Sequence, residues 1–327
     1  MRRISALLCL AAGLALLAWL LSLTDLHALA REVVTVGALG FGAVLLIYAL
    51  EFLCDALSWQ LTIAGLPLSP RWTARLYLVR LVGESYNVIT PLGGMGGEPI
   101  KALALQRCYA LPYAQSMASL VLAKTANLTA LVAFLAVGFA LMLGDARFSA
   151  QFHVLGAVGL MGLTLGVAGF ILVQRLGITS RVATRLGVRL PRLARALAGL
   201  RAFDALLLEF YTSDPWRIAA VLALAMLNWV LGAAGVWVTL QFMGRPASFA
   251  DAWVLEAMAQ LVRAGTFFIP ASLGAQEGAL MLVMRAMTGD ALAGLALALL
   301  RRARELLWVM AGLIASVPLL GGARTGH

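Results

Sequence analysis

Residues 87–98 read NVITPLGGMGGE, and residues 267–277 read FFIPASLGAQE. Both stretches sit inside long apolar regions, 72–109 and 249–287. In each, a proline (Pro91, Pro270) is followed by a loop containing glycine, and a glutamate (Glu98, Glu277) stands seven residues after the proline. Proline lacks a backbone donor and clashes with the preceding turn, so a helix stops there. Prolines and glutamates are both offset by 179 positions (270 − 91 and 277 − 98). The same offset carries Lys124 to position 303, between Arg302 and Arg304. The chain is therefore expected to contain two helix–break–helix units, each followed by a helix with a basic residue inside it.

Outward from these breaks, apolar runs of spanning length occupy 4–23, 36–57, 117–143, 154–173 and 218–242. A last run, 291–320, is interrupted by RRARE at 301–305. About 20 apolar residues in a helix cross the hydrocarbon core. Of the 327 residues, 62% are hydrophobic and 12% charged, about half the charged share of a soluble domain. The mean hydropathy is +0.93. A soluble fold of this composition would lack the polar residues to cover its surface. The expected fold is an all-α polytopic integral membrane protein. It has about six full spanning helices and two re-entrant broken-helix hairpins. Residues 1–327 form one membrane domain with pseudo-repeats at 36–143 and 217–320. They are joined by an outer helix at 154–173 and a basic segment at 175–217.

The formal net charge is +10, and every basic residue except Lys101 and Lys124 is arginine. Membrane proteins retain such residues in cytoplasmic loops, so the excess does not point to nucleic acid. Segment 175–217 carries eight arginines, and its Leu186, Leu190, Leu193, Leu197, Leu200 and Phe203 recur at near-helical spacing. It reads as amphipathic helix on the anionic inner leaflet. From that anchor both termini are cytoplasmic, as in a bacterial inner membrane, and segments 25–35, 144–151 and 244–248 lie outside. Each broken region then returns to its starting side. The first break enters from the cytoplasm and the second from outside, which makes an inverted repeat. Met1, Arg2 and Arg3 followed by the run 4–23 resemble a signal peptide, but the run is long, and an uncleaved first helix is expected.

Non-helical backbone cannot face lipid, because its N–H and C=O groups would lack partners. Loops 92–97 and 271–276 must therefore face protein or a wet cavity. Half-helices starting near Gly97 and Gln276 would aim free N–H groups into it, where an anionic headgroup fits. A charge inside the bilayer costs roughly 2.5–3.5 kcal/mol on the insertion scale. The chain nevertheless keeps Glu51, Asp55, Arg80, Glu84, Glu98, Lys124, Arg263, Glu277, Arg301, Arg302, Arg304 and Glu305 in or near apolar spans. The residues assigned to substrate binding are Asn87, Thr90, Pro91, Gly94, Gly97, Glu98, Lys101 and Lys124 in the first unit. In the second they are Pro270, Ser272, Gly274, Glu277, Arg301, Arg302 and Arg304. Asn87 and Thr90 either line the cavity or cap the broken helix; at least one arginine of 301–304 faces the cavity, and the others pair with Glu305 or snorkel.

Asn87-x3-Pro91-x-Gly93, then Gly97-Glu98-x2-Lys101, Lys124, Pro270-x-Ser272-x-Gly274-x2-Glu277 and Arg301–Arg304 resemble the flippase-like family named for the membrane region of lysylphosphatidylglycerol synthases. The resemblance covers 36–320 and extends, in length and layout, to a stand-alone branch associated with hopanoid biosynthesis. It implies translocation of lipids, with membrane lipids and enzymes of lipid biosynthesis as partners. The family commonly carries an arginine at its first glutamate motif and a Glu-Arg pair in the next helix. Here the loop 92–97 is glycine-rich and the pair reads Ala123-Lys124. The synthase's soluble aminoacyl-transfer domain is not expected, so neither is lipid aminoacylation.

Other readings are a non-catalytic scaffold for lipid-biosynthesis enzymes and a membrane-embedded lipid transferase with a carboxylate base. The chain is expected not to be an enzyme, since no nucleophile–base constellation is legible. Cys9, Cys54 and Cys108 lack metal-ligand spacing and His27, His153 and His327 are scattered, so no metal or other cofactor is expected. No G-x4-G-K-[ST] motif is present to drive transport with ATP.

Overall fold

A computed structural model describes residues 26–89, 96–176 and 215–321. These form helices α1 (Leu26–Thr35), α2 (Gly37–Thr62), α3 (Pro70–Ile89), α4 (Glu98–Tyr109), α5 (Tyr113–Leu143), α6 (Ala150–Arg175), α7 (Pro215–Phe242), α8 (Phe249–Gly265), α9 (Ala275–Thr288) and α10 (Ala291–Gly321). A 3-10 turn, Pro270–Ser272, lies between α8 and α9. No strand occurs among the described residues. The chain is an all-α polytopic membrane protein.

Helices α2, α5, α6 and α7 are long and apolar enough to cross a membrane, and they contain the expected runs. Helix α10 is also 31 residues long, but its charges sit mid-helix. The run 4–23 and residues 177–214 of the basic segment, with their expected surface helices, lie outside the described residues. Segment 25–35, expected as a loop, is helical from Leu26. Leu29 and Val36 bury against α10 in one core cluster, and the chain turns into α2 at Gly37, whose φ is +64°.

Helix lengths recur across the chain. Helices α2 to α5 have 26, 20, 12 and 31 residues, and α7 to α10 have 28, 17, 14 and 31. Packing is reciprocal as well: α3 lies on α10, α8 lies on α5, and the two leading helices α2 and α7 lie on each other. Those two run antiparallel. Gly40 near the start of α2 leaves no room for a Cβ beside Phe242 at the end of α7. At the opposite end, Ser58 Oγ donates to the Val221 carbonyl at 3.2 Å. There Arg217 also donates to the carbonyls of Leu61 and Ile63, where a cation satisfies the last acceptors of α2 and meets its negative dipole end.

Small residues set the closest approaches, as expected where apolar association gains nothing over lipid. A Cβ on Gly312 of α10 would stand 2.4 Å from the Leu81 carbonyl of α3. A Cβ on Gly138 of α5 would stand 2.5 Å from Ala257 of α8. Next to that seam the Trp253 indole stacks on Phe134 at 4.6 Å and donates to the Phe134 carbonyl at 3.0 Å. Helix α6 lies at the edge, with Val154, Leu155, Val158, Met161 and Leu165 exposed.

Ion pairs join the helix ends on the side of α1. Arg245 holds Glu32 and Asp290, each at 2.7 Å. Arg147, in the α5–α6 connection, holds Asp145 at 2.6 Å and also reaches Asp251 at the start of α8. Hydrogen bonds from the Arg147 side chain and backbone N–H hold the Asp145 carboxyl below its ordinary range. A depressed folded-state value means its contribution is present above the unfolded value of about 3.9 and is lost as pH falls below it. Partly exposed pairs of this kind contribute about 0.2–1 kcal/mol. Thermal unfolding in detergent should therefore separate wild type from Arg147→Ala by a few degrees at pH 7 and by less at pH 3. An equal difference at both pH values would show that Arg147 acts by packing.

Candidate functional site

The first break lies between α3 and α4. Thr90, Pro91 and Gly94 lie outside the described residues, but both flanks are described. The Gly97 N–H donates to Asn87 Oδ1 at 2.7 Å, and Asn87 Nδ2 donates to Glu84 Oε2 at 3.1 Å. Asn87 thus bridges the break and caps the short helix from the far side. The Gly97 N–H, expected to face a substrate, is already used. Lys101 Nζ donates to Glu98 Oε1 at 2.9 Å, and the Lys101 stem lies over Gly83. Glu98 takes the lysine one turn along its own helix (i, i+3), a pair that helix geometry favours.

Lys124 is left differently placed. It stands among Glu84, Glu98, Lys101 and Arg80, deep between helices, yet its side chain is exposed. Its side chain is therefore accessible and not sealed in packed core. Among the described residues it makes no ion pair within 4.0 Å. Next to it, Arg80 of α3 pairs with Asp55 of α2. The described charges here are Asp55, Glu84 and Glu98 against Arg80, Lys101 and Lys124, which sum to zero.

The second break is held by Arg302. Its Nε donates to Glu277 Oε1 at 2.6 Å, one Nη to Glu305 Oε2 at 2.8 Å, and the other to the Ala271 carbonyl at 2.7 Å. The break needs such a clamp because Ala271 and Ser272 adopt φ of +53° and +49°, a region costly for residues with a Cβ. Gly274, at φ +77°, supplies the N-cap of α9 without that cost. Ser272 is buried, its N–H donating to the Ile269 carbonyl at 2.9 Å. Glu277 is 1% exposed. Glu277 thus pairs with an arginine 25 residues later, in α10.

None of the three arginines of 301–304 is left without a carboxylate. Arg301 grips Glu256 of α8 through two parallel bonds of 2.7 and 2.9 Å, and Gln260 Nε2 donates to the same carboxylate at 2.7 Å. Arg304 lies 3.6 Å from Glu51 of α2, and its guanidinium stacks 3.9 Å above the Tyr48 ring. Arg263 reaches Glu305 at 3.7 Å with its side chain 41% exposed. Four carboxylates (Glu51, Glu256, Glu277, Glu305) face four guanidinium groups (Arg263, Arg301, Arg302, Arg304), so the formal charges again balance. Buried charges of this kind persist only when each is paired.

Aromatic rings connect the two clusters. Arg304 sits over Tyr48, Tyr48 meets Phe52 edge-on at 5.2 Å, and the Arg80 guanidinium lies 5.4 Å from the Phe52 ring. Trp308 closes on both rings from α10, at 5.1 and 5.6 Å. Glu256 and Gln260 are the site residues that sequence reasoning missed. A signal existed: Glu256, Gln260 and Arg263 fall at i, i+4 and i+7 of an apolar helix, on one face.

Fold and charge clusters together define an α-helical integral membrane protein with a polar interior built around two broken helices. The chain belongs to the lysylphosphatidylglycerol synthase TM region family, whose family model matches residues 6–313. That membership carries a membrane lipid-related role. No curated protein and no solved structure matches the chain.

Proposed function

We propose that the protein moves a lipid headgroup between leaflets through the polar interior between its two halves, while the tails stay in the bilayer. The observation that carries this reading is Lys124: an accessible cation beside a broken helix, near Glu84 and Glu98 but with no ion pair within 4.0 Å among the described residues. Such a group gives an anionic headgroup a counter-charge. A phospholipid phosphate or an anionic hopanoid headgroup would fit. The matching helix lengths, reciprocal packing and antiparallel α2 and α7 support an inverted repeat, with rocking of the halves as the route to alternating access. In this reading the protein sits in a bacterial inner membrane with both termini in the cytoplasm. It hands lipid to or from biosynthetic enzymes and performs no covalent chemistry.

The test is reconstitution of the full chain in liposomes with fluorescent anionic, zwitterionic or cationic lipids and dithionite quenching from outside. Wild type should expose the inner-leaflet anionic lipid to quenching. Lys124→Ala should slow that exposure about ten-fold or more, the loss expected for one hydrogen bond to a charged group of ~1.5–3 kcal/mol. Because Lys124 is accessible, the variant should keep its thermal stability. The doubly substituted Glu98→Gln/Glu277→Gln protein should be inactive toward every headgroup. Inner-leaflet protection unchanged by wild type for all lipids would sink the proposal.

A further inference from the structure

A second feature of the molecule lies away from the charge clusters. An apolar groove of about 920 Å³ opens between α2, α3 and α7. Leu53 and Leu57 line one wall, Ala74 and Leu78 the other, and Leu224 the floor. The volume is that of a ligand site, roughly 300–1,000 Å³.

The two ends of the groove differ in charge and connection. At its mouth are Ser69, Pro70 and Thr73, and Arg71 in the same turn of α3 is exposed. Polar groups at the mouth are already satisfied, since Gln60 donates to the Pro67 carbonyl at 2.9 Å and accepts from Thr73 at 2.7 Å. The cations are not. Arg71, Arg75 and Arg107 pair with no carboxylate among the described residues. Arg75 instead stacks between Trp72 and Tyr109, at 4.7 and 4.9 Å, an aromatic–basic arrangement typical of a membrane interface. At the inner end, Tyr77 lines the groove and lies 6.1 Å from Phe52, the ring that carries Arg80. Helix α3 thus presents an apolar wall that begins at Arg71 and ends one turn from the first charge cluster.

We infer that this groove holds the acyl chain of an anionic phospholipid, with its phosphate at Arg71. Charge complementarity at the mouth selects the headgroup, and the apolar wall takes the tail. The inference rests on the translocation reading only in supplying the path to Arg80; binding at the groove stands independently of transport.

The test uses the full chain in nanodiscs with phosphatidylglycerol bearing a photoreactive diazirine in its acyl chain, or the matching phosphatidylcholine. Label is mapped by peptide mass spectrometry, with the exposed face of α6 as the internal standard for ordinary lipid contact. With phosphatidylglycerol, label on residues 74–81 relative to α6 should exceed the phosphatidylcholine ratio about five-fold, the factor for ~1 kcal/mol per arginine near an anionic surface. Arg71→Glu should remove that difference, and Ala74→Trp should clear label from the groove with either probe. Equal ratios for the two lipids would overturn the inference. So would label absent from residues 74–81 with both probes while α6 is labelled, which would show the groove filled by something other than lipid. Labelling needs no transport, so a protein that fails the dithionite assay can still pass this one, and the reverse.

Discussion

Replacing Arg302 with methionine should destabilise the protein by about 3–5 kcal/mol, the effect of leaving a buried charge without its partner, and should abolish lipid translocation. Three acceptors depend on this one guanidinium: Glu277, Glu305 and the Ala271 carbonyl. Glu305 keeps Arg263 nearby, but Glu277 would be left in an apolar surrounding with no cation within reach. The Ala271 carbonyl would lose its side-chain donor in a segment where two consecutive non-glycine residues already hold left-handed backbone. A lysine cannot substitute, because its compact ammonium lacks the planar fork that reaches three directions. The double variant Arg302→Met/Glu277→Gln removes the stranded charge and should recover most of the stability without recovering transport. Thermal unfolding in detergent, read beside the dithionite assay, separates the two effects. If the single variant unfolds within about 2 °C of wild type, far less than several kcal/mol implies, then Arg302 does not clamp the break.

The second large effect should come from one methyl group. A Cβ on Gly97 would stand 1.8 Å from the Gly83 carbonyl oxygen and 2.6 Å from its carbon. Backbone cannot swing aside as a side chain can, so α3 and α4 must separate. Separation would also pull the Gly97 N–H away from Asn87. Overpacking of this kind costs about 1–3 kcal/mol or more, and loss of the capping bond adds about 1 kcal/mol. Gly83→Ala provides the comparison. Its Cβ would meet the Lys101 stem at 2.3 Å, a flexible chain that can re-aim. Gly97→Ala should therefore unfold at clearly lower temperature than Gly83→Ala, and only the latter should retain measurable translocation. Equal behaviour of the two would mean that the break tolerates a shift of α4.

Much of the fold was legible because bilayer thickness sets a length scale that sequence reports directly. Runs 117–143 and 218–242 lie inside α5 and α7, and Pro91 and Pro270 lie between paired helices. The grouping of Glu277 with one arginine of 301–304 was also legible, but not which of the three, nor that it meets the glutamate and not a headgroup. The other pairings were not. Whether Arg301 meets Glu256 or Glu305 depends on the rotation and height of α8 against α10, and neither is written in spacing along one chain. Glu98 takes Lys101 for a local reason: it is one turn away and needs no tertiary register to arrive. Helix Leu26–Thr35 is too short to span, so the length scale that reports the other helices gives no sign of it.

The neutrality of both charge clusters has an electrical consequence. One elementary charge crossing a 100 mV potential exchanges about 2.3 kcal/mol with it, enough to bias a conformational equilibrium by more than ten-fold. A rearrangement that carries three positive and three negative groups together, or four and four, does no such work. In the proposed cycle the unloaded protein would reorient without sensing the membrane voltage. On the translocation reading, any current that accompanied turnover would belong to the headgroup carried and report its charge.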